Sequence, residues 1–228
     1  MPKVVVTGAK GGAGRTLVRV LREAGWQVLG VDLKPCDFWE ADYRQLDLED
    51  GAGVHDVLAG ADAVVHFGSL PTDGWTSWET AYRNLALGGY HVLQAVANLR
   101  IPRLVLASSP TIYGEYGRVP YLPVDEETPP GPTSIYGAAK ENLETLARRY
   151  AEWHGTAIAA FRPQRIVYER SFEWRLRRFT RDRATAAPDL WAYVDARDVA
   201  SACLAWLEAE ASGFEAFNVA AGDVCVAA

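Results

Sequence analysis

The sequence predicts a doubly wound α/β fold, a parallel sheet with helices packed on both faces. Three observations carry that prediction. Short β-branched and apolar runs alternate with helical stretches, and a glycine-rich turn joins the first run to the first helical stretch. The 228 residues, 49% of them apolar, also suffice to bury one large core without disulfides or metal. Lys3–Thr7 is the first strand, and glycines at 8, 11, 12 and 14 follow it. Arg15–Ala24 carries Leu17, Val18, Leu21 and Ala24 at helical spacing and is stopped by Gly25. Gln27–Val31 is a second strand, ended by Asp32. A weak strand at Arg44–Leu48, a helix from Gly53, a strand at Ala61–Phe67 and a helix from about Ser77 to Leu99 repeat the pattern. Next come a strand at Arg103–Ala107, a loop of prolines and glycines to Pro132, a long helix at Ser134–His154 and a strand at Thr156–Phe161. Phe217–Ala228 reads as a final strand, and the C-terminal end is short for a domain that normally closes with a helix.

Charge and composition exclude several classes. Lys+Arg 23 against Asp+Glu 29 gives a net charge of −6, the wrong sign for a nucleic-acid binder that works by neutralising phosphates. No apolar run approaches the roughly 20 residues of a membrane span. Met1-Pro2-Lys3 runs into a strand and not into a signal peptide. Cys36, Cys203 and Cys225 are odd in number and far apart, so they read as reduced thiols of a cytoplasmic protein. His55, His66, His91 and His154 lack ligand spacing, so no metal site is expected, and His66 reads as a packed core residue.

Two motifs carry chemistry. In Thr7–Gly14 the glycines at 8, 11 and 14 suit, in turn, a tight turn, close backbone approach to a pyrophosphate, and close helix–strand packing. The helix that follows offers unpaired N–H groups and a positive dipole end to the anion. Asp32 ends the second strand where an acid accepts from a ribose 2′-OH and repels a 2′-phosphate, which favours NAD, although Lys34 softens that repulsion. The second motif is Tyr136 and Lys140, four apart on one face at a helix start. A free tyrosine ionises near 10, so acting as a base near neutrality needs ~4 kcal/mol. An ammonium about 4 Å away supplies ~4 kcal/mol at an effective dielectric of about 20. Ser108-Ser109 ends the strand Arg103–Ala107, at the edge where open parallel sheets bind ligands, so a serine there can hold an alcohol beside Tyr136. Tyr and Lys at this spacing otherwise decorate ordinary amphipathic helices, and it is the phosphate loop that turns them toward catalysis.

With these residues in order, the chain resembles an extended short-chain dehydrogenase/reductase of the NAD-dependent epimerase/dehydratase family over nearly its whole length. The resemblance rests on Thr7–Gly14, Asp32, Asp47-Leu48, Asp62–Ser69, Asn84, Ser108–Gly114, Tyr136–Lys140, Arg162-Pro163 and Tyr193–Asp198. It implies a doubly wound Rossmann fold, with residues 1–162 as the NAD-binding domain. Residues 163–228 would be a small, reduced substrate-binding portion plus a returning core strand and helix, not folding independently. It implies Ser109, Tyr136 and Lys140 as the catalytic set, with Lys140 also holding the nicotinamide ribose. Gly8, Gly11, Gly12, Ala13 and Gly14 would bind the cofactor phosphates, Asp47-Leu48 would contact the adenine, and Phe67-Gly68-Ser69 with Asn84 would line the groove. Ser109, Thr111, Tyr136 and Arg165 would form the substrate side, while Asp195 matches a structural acid. The family also implies a homodimer in which helices Ser77–Leu99 and Ser134–His154 form a four-helix interface, although burial within one chain explains their apolar faces equally.

Two departures bear on function. Ser109-Pro110-Thr111-Ile112 lacks the acidic pair of sugar dehydratases. Arg165 and Tyr168-Glu169 stand where the family has an Asn and a Tyr-Gly pair, and the stretch before Tyr193 is short for a nucleotide-sugar cap. The leading expectation is an NAD-dependent nucleotide-sugar 4-epimerase or close relative. The alternatives are a dehydrogenase of a smaller hydroxylated substrate such as a sugar acid, and a non-catalytic dinucleotide-binding scaffold or sensor. Two features stay open. The seven arginines of Arg165–Arg183 suit a diphosphate or carboxylate, or equally a solvated helix face. Trp75 and Trp78 either border the substrate pocket or merely cover it.

Overall fold

The computed structural model describes residues 1–36, 42–70, 77–115, 118–169, 171, 173, 184, 187 and 190–224. Trp75, Cys225 and most of Arg165–Arg183 lie outside the described residues. Seven parallel strands form one sheet in the order β3-β2-β1-β4-β5-β6-β9. They are β1 (Lys3–Thr7), β2 (Gln27–Asp32), β3 (Asp42–Gln45), β4 (Ala63–His66), β5 (Arg103–Ala107), β6 (Ala157–Pro163) and β9 (Phe214–Val219). A separate parallel pair joins β7 (Ile166–Val167) to β8 (Val194–Asp195). The helices among the described residues are α1 (Gly12–Glu23), α2 (Gly51–Leu58), α3 (Trp78–Asn98), α4 (Ile135–His154) and α5 (Ala196–Glu208), with a short 3₁₀ turn at Pro110–Tyr113. This is the doubly wound Rossmann-type architecture the alternating pattern predicts.

Strand period makes the two layers. Val5, Val31, Val64, Leu104 and Ile158 face one side, where Val54 and Leu58 of α2, Val92 and Val96 of α3, and Leu143 and Ala147 of α4 cover them. Val4, Val6, Val65, Val105 and Ala159 face the other side, under Leu17 and Leu21 of α1 and Val199 and Cys203 of α5. Burying each Val or Leu of this kind contributes roughly 1.5–3 kcal/mol. His66 ends β4 inside the sheet, 4% exposed.

Element boundaries moved where polar or glycine-rich sequence hid them. β3 is Asp42–Gln45 and not Arg44–Leu48, because it is an exposed polar edge strand, while Leu48 leaves the ladder to pack against Gly88 of α3. α2 starts at Gly51 since the Asp50 carboxylate accepts from the Gly53 N–H at 3.0 Å. α1 starts at Gly12, three residues before its apolar periodicity begins, and Trp78 is the first residue of α3, with Ser77 as its N-cap. β9 starts at Phe214, after Gly213 in a left-handed turn (φ +69°), and ends at Val219.

One buried ion pair ties the sheet to α4. Arg162 of β6 donates to both carboxylate oxygens of Glu144 at 3.0 and 2.7 Å, and to the Tyr113 hydroxyl at 2.6 Å. The pair is almost wholly excluded from water, at 5% and 8% side-chain exposure. Removing one partner strands a buried charge. Glu144→Ala is therefore expected to lose about 3–5 kcal/mol in urea unfolding, and a loss below about 1 kcal/mol would show that the pair is not what fixes α4 to β6.

Candidate active site

The sheet order reverses at β1 and β4, and a crevice opens beyond their carboxyl ends. The β1–α1 turn forms its floor. Gly8 has φ +71°, and a Cβ on Gly14 would lie 2.0 Å from the Gly8 carbonyl oxygen, so the helix touches the strand only because position 14 has no side chain. Each of α2, α3, α4 and α5 has a side-chain cap at its N-terminus; α1, preceded by Gly11, has none. Its first amides are left for a ligand in the crevice. The Asp32 carboxylate accepts from the Lys10 N–H at 2.9 Å and the Lys34 N–H at 3.2 Å, which locks the tip of the turn to the end of β2.

The crevice comprises two connected cavities. One, of about 510 Å³, has Asp32, Lys34, Asp47, Leu48, Gly68 and Asn84 along its wall. The other, of about 710 Å³, is lined by Ala13, Gly14, Ser109, Thr111, Tyr136, Lys140 and Arg165. Gly8, Gly11, Gly12, Phe67 and Ser69 border both. Every site residue expected from the sequence thus borders the same crevice. Asn84 acts from beneath: its Oδ1 accepts from the Leu70 N–H at 3.0 Å and shapes the loop after β4. Thr7 holds that loop from the other side, its hydroxyl accepting from the Gly68 N–H at 3.1 Å and bonded to His66 Nδ1 at 2.8 Å.

The alcohol-handling residues come from two elements. Ser109 caps the turn after β5, accepting from the Thr111 N–H at 3.2 Å and from the Thr111 hydroxyl at 2.9 Å. Tyr136 and Lys140 lie on the first turns of α4, where Ser134 accepts from the Gly137 N–H at 3.1 Å. Lys140 is 4% exposed and donates to the Ala107 carbonyl at 2.6 Å, its ammonium 5.6 Å from the Tyr136 ring centre. Burial pushes the Lys140 amine down to about 8, with Glu144 pulling the other way. Burial also raises the Tyr136 phenol, and its hydrogen bond with Ser109 only partly offsets this. The expectation that one lysine brings the tyrosine near neutrality meets two opposing features: the ammonium donates to the Ala107 carbonyl, and burial acts on the phenol in the opposite direction. Burial, helped by Lys140, holds His66 down at about 3, so it is neutral under the lysine.

A sequence profile described as the NAD dependent epimerase/dehydratase family matches residues 4–220. The chain belongs to that family. It is 31% identical over 175 residues to an L-arabinose 1-dehydrogenase (NAD(P)(+)) of Haloferax volcanii, covering 71% of this chain and 66% of the relative. It is 32% identical over 163 residues to a UDP-glucose 4-epimerase of Neisseria meningitidis serogroup B, covering 64% and 47%. The chain thus spans about half to two thirds of the length of these curated relatives. The crystal structure of uronate dehydrogenase from Agrobacterium tumefaciens superposes with a TM-score of 0.81 at 25% identity, covering 99% of this chain and 79% of that one.

The crevice of this epimerase/dehydratase family member fits the dinucleotide of its family. Gly8 leaves no room for a side chain, since a Cβ there would lie 2.6 Å from the Phe67 carbonyl oxygen. The Ser108 hydroxyl is buried without a partner among the described residues, in the wall of the larger cavity. Sequence reasoning passed over that hydroxyl, as well as Gln164 and Tyr168, which border the crevice too. Ser108 was visible only as the neighbour of Ser109, and Tyr168 only as a departure from the family pattern. No helix among the described residues is long and apolar enough to cross a membrane.

The site is held at a cost to stability. Since the folded value of Lys140 (about 8) lies below its ordinary 10.5, the charged lysine opposes folding below pH 8, and the opposition fades as pH rises from 8 toward 10.5. The gap amounts to ~3 kcal/mol, less ~1 kcal/mol for the bond to Ala107. Lys140→Met is expected to stabilise the protein by about 2 kcal/mol at pH 7, with the gain gone by pH 10.5. Equal stability of the two proteins at pH 7 in urea titrations would refute the assignment.

Proposed function

We propose that this protein is an NAD-dependent dehydrogenase that oxidises a hydroxyl of a small sugar acid. The observation that carries this reading is that Arg165 lines the same cavity as Ser109, Thr111 and Tyr136. An arginine in that cavity would suit a carboxylate on the reacting sugar itself, by paired hydrogen bonds. The likeness to uronate dehydrogenase supports it, as does the short stretch before Tyr193. In this reading the Gly8–Gly14 turn and the α1 amides hold the cofactor pyrophosphate, Asp32 the adenosine ribose, Asp47-Leu48 the adenine, and Lys140 the nicotinamide ribose. When bound, NAD accepts the hydride. Ser109 and Thr111 orient the substrate hydroxyl, and Tyr136 as phenolate takes its proton while the carbon becomes a carbonyl. Because burial raises the Tyr136 phenol above its ordinary range, the oxidation rate should rise with pH and still be rising above pH 8.

The second reading, a nucleotide-sugar 4-epimerase, is supported by the Neisseria relative and uses the same first half-reaction. The large side chains on α3 and α4, with Trp78 55%, Tyr82 41%, Tyr90 40% and Trp153 64% exposed, support a homodimer through a four-helix interface. We place the protein in the cytoplasm, where the buried Cys203 thiol stays reduced.

Absorbance at 340 nm with NAD and a panel of uronic acids, neutral sugars and nucleotide sugars tests these readings. Steady NADH formation with a uronic acid is expected. Arg165→Ala should raise KM for the acid by about 10²-fold with a small effect on kcat, and Tyr136→Phe should cut kcat by about 10²–10⁴ while NAD still binds. Inversion of a nucleotide sugar without net NADH would overturn the dehydrogenase reading in favour of the epimerase. Cofactor binding with no turnover of any sugar would favour a non-catalytic sensor.

A further inference from the structure

We propose that Tyr168 is a cofactor-retaining clamp, a positioning residue that closes the dinucleotide groove over the phosphate loop. The proposal rests on the reading that the crevice holds NAD. The two cavities share a floor supplied by the β1–α1 turn and the segment after β4. They also share Tyr168, which comes from a distant part of the chain, one residue past β7. Its ring rests on the phosphate loop itself. A Cβ on Gly12 would lie 2.4, 2.5 and 2.6 Å from the ring carbons Cε1, Cζ and Cδ1. Gly12 is the first residue of the uncapped helix α1, so the ring sits beside the amides that face the crevice. An extended dinucleotide reaching from the Asp32 end to the Tyr136 end passes Gly11 and Gly12, and therefore passes this ring.

The backbone that carries the ring is also held in place. The Ser171 hydroxyl accepts from the Tyr168 N–H at 3.2 Å and donates to the Tyr168 carbonyl at 3.0 Å, and the Ser171 N–H donates to the same carbonyl at 2.7 Å. Ser171 is 1% exposed. On the other side β7 pairs with β8, with Val167 opposite Asp195. An aromatic residue whose backbone is fixed on both sides loses less entropy when its ring packs on a ligand, and the ring shields the amide–phosphate bonds from water. The effect falls on dissociation and not on the chemical step.

The test is NADH fluorescence with the full chain, by equilibrium titration and by stopped-flow displacement with excess NAD. Tyr168→Ala is expected to speed NADH release at least tenfold. Tyr168→Phe keeps the ring and should stay within twofold. Gly12→Ala pushes the ring off the loop and should also speed release. In a Tyr168→Ala background the added Cβ no longer meets a ring, so Gly12→Ala should then add little. Release from Tyr168→Ala within twofold of the parent overturns the proposal, and so does a Gly12→Ala effect that persists in full without Tyr168. Failure of the parent chain to bind NADH overturns the cofactor reading, and the clamp with it. Thermal unfolding of each variant separates misfolding from altered release.

Discussion

Gly14 lies so close to the Gly8 carbonyl that no side chain fits between them, and this approach sets much of what surrounds it. It presses α1 onto β1, which aims the uncapped end of the helix into the gap where the sheet order reverses. The turn that results leaves the Lys10 N–H within reach of Asp32, so the acid at the end of β2 is oriented by the loop it serves. Gly8 repeats the constraint across the gap, against the Phe67 carbonyl after β4. The floor of the groove is therefore backbone packed on backbone, and a methyl group at either glycine forces the floor open.

Against this rigid floor, the chemical end of the groove is assembled from groups that fold reluctantly. Lys140 is buried with its charge, Ser108 is buried without a partner among the described residues, and burial favours the phenol form of Tyr136. The core beneath them is ordinary apolar packing, and the Arg162–Glu144 pair anchors α4 where its first turn must not drift. Stability supplied by the sheet is spent on holding a lysine and a tyrosine where water would otherwise take them.

Much of this was legible in the sequence because the signals were periodic or sterically singular. β1, β5, α3 and α4 declare themselves by apolar spacing and by Ser77 and Ser134 as caps, and the glycine turn by its spacing and context. β3 was misjudged because an exposed polar edge strand has no apolar alternation. The first turns of α1 and α2 were hidden by Gly12, Gly14, Gly51 and Gly53, residues that argue against helix by propensity while tertiary packing demands them. The proton balance of Tyr136 and Lys140 was not legible at all. Spacing shows that two side chains are neighbours, but not that the ammonium turns away to a carbonyl on β5, nor how much water burial removes. Tyr168 escaped for a related reason, since its contact with Gly12 joins positions far apart in the chain.

The strand order also bears on how such a chain finds its structure as it leaves the ribosome. After the first three strands, β4 pairs with β1, β5 with β4 and β6 with β5, so each new strand meets a finished neighbour and none has to insert between two others. The glycine floor can therefore be complete before the residues that stand over it have been made. β9 is the exception: it must wait for β7, β8 and α5 to be synthesised before it closes the edge beside β6, and until then β6 offers an open backbone edge to any passing strand.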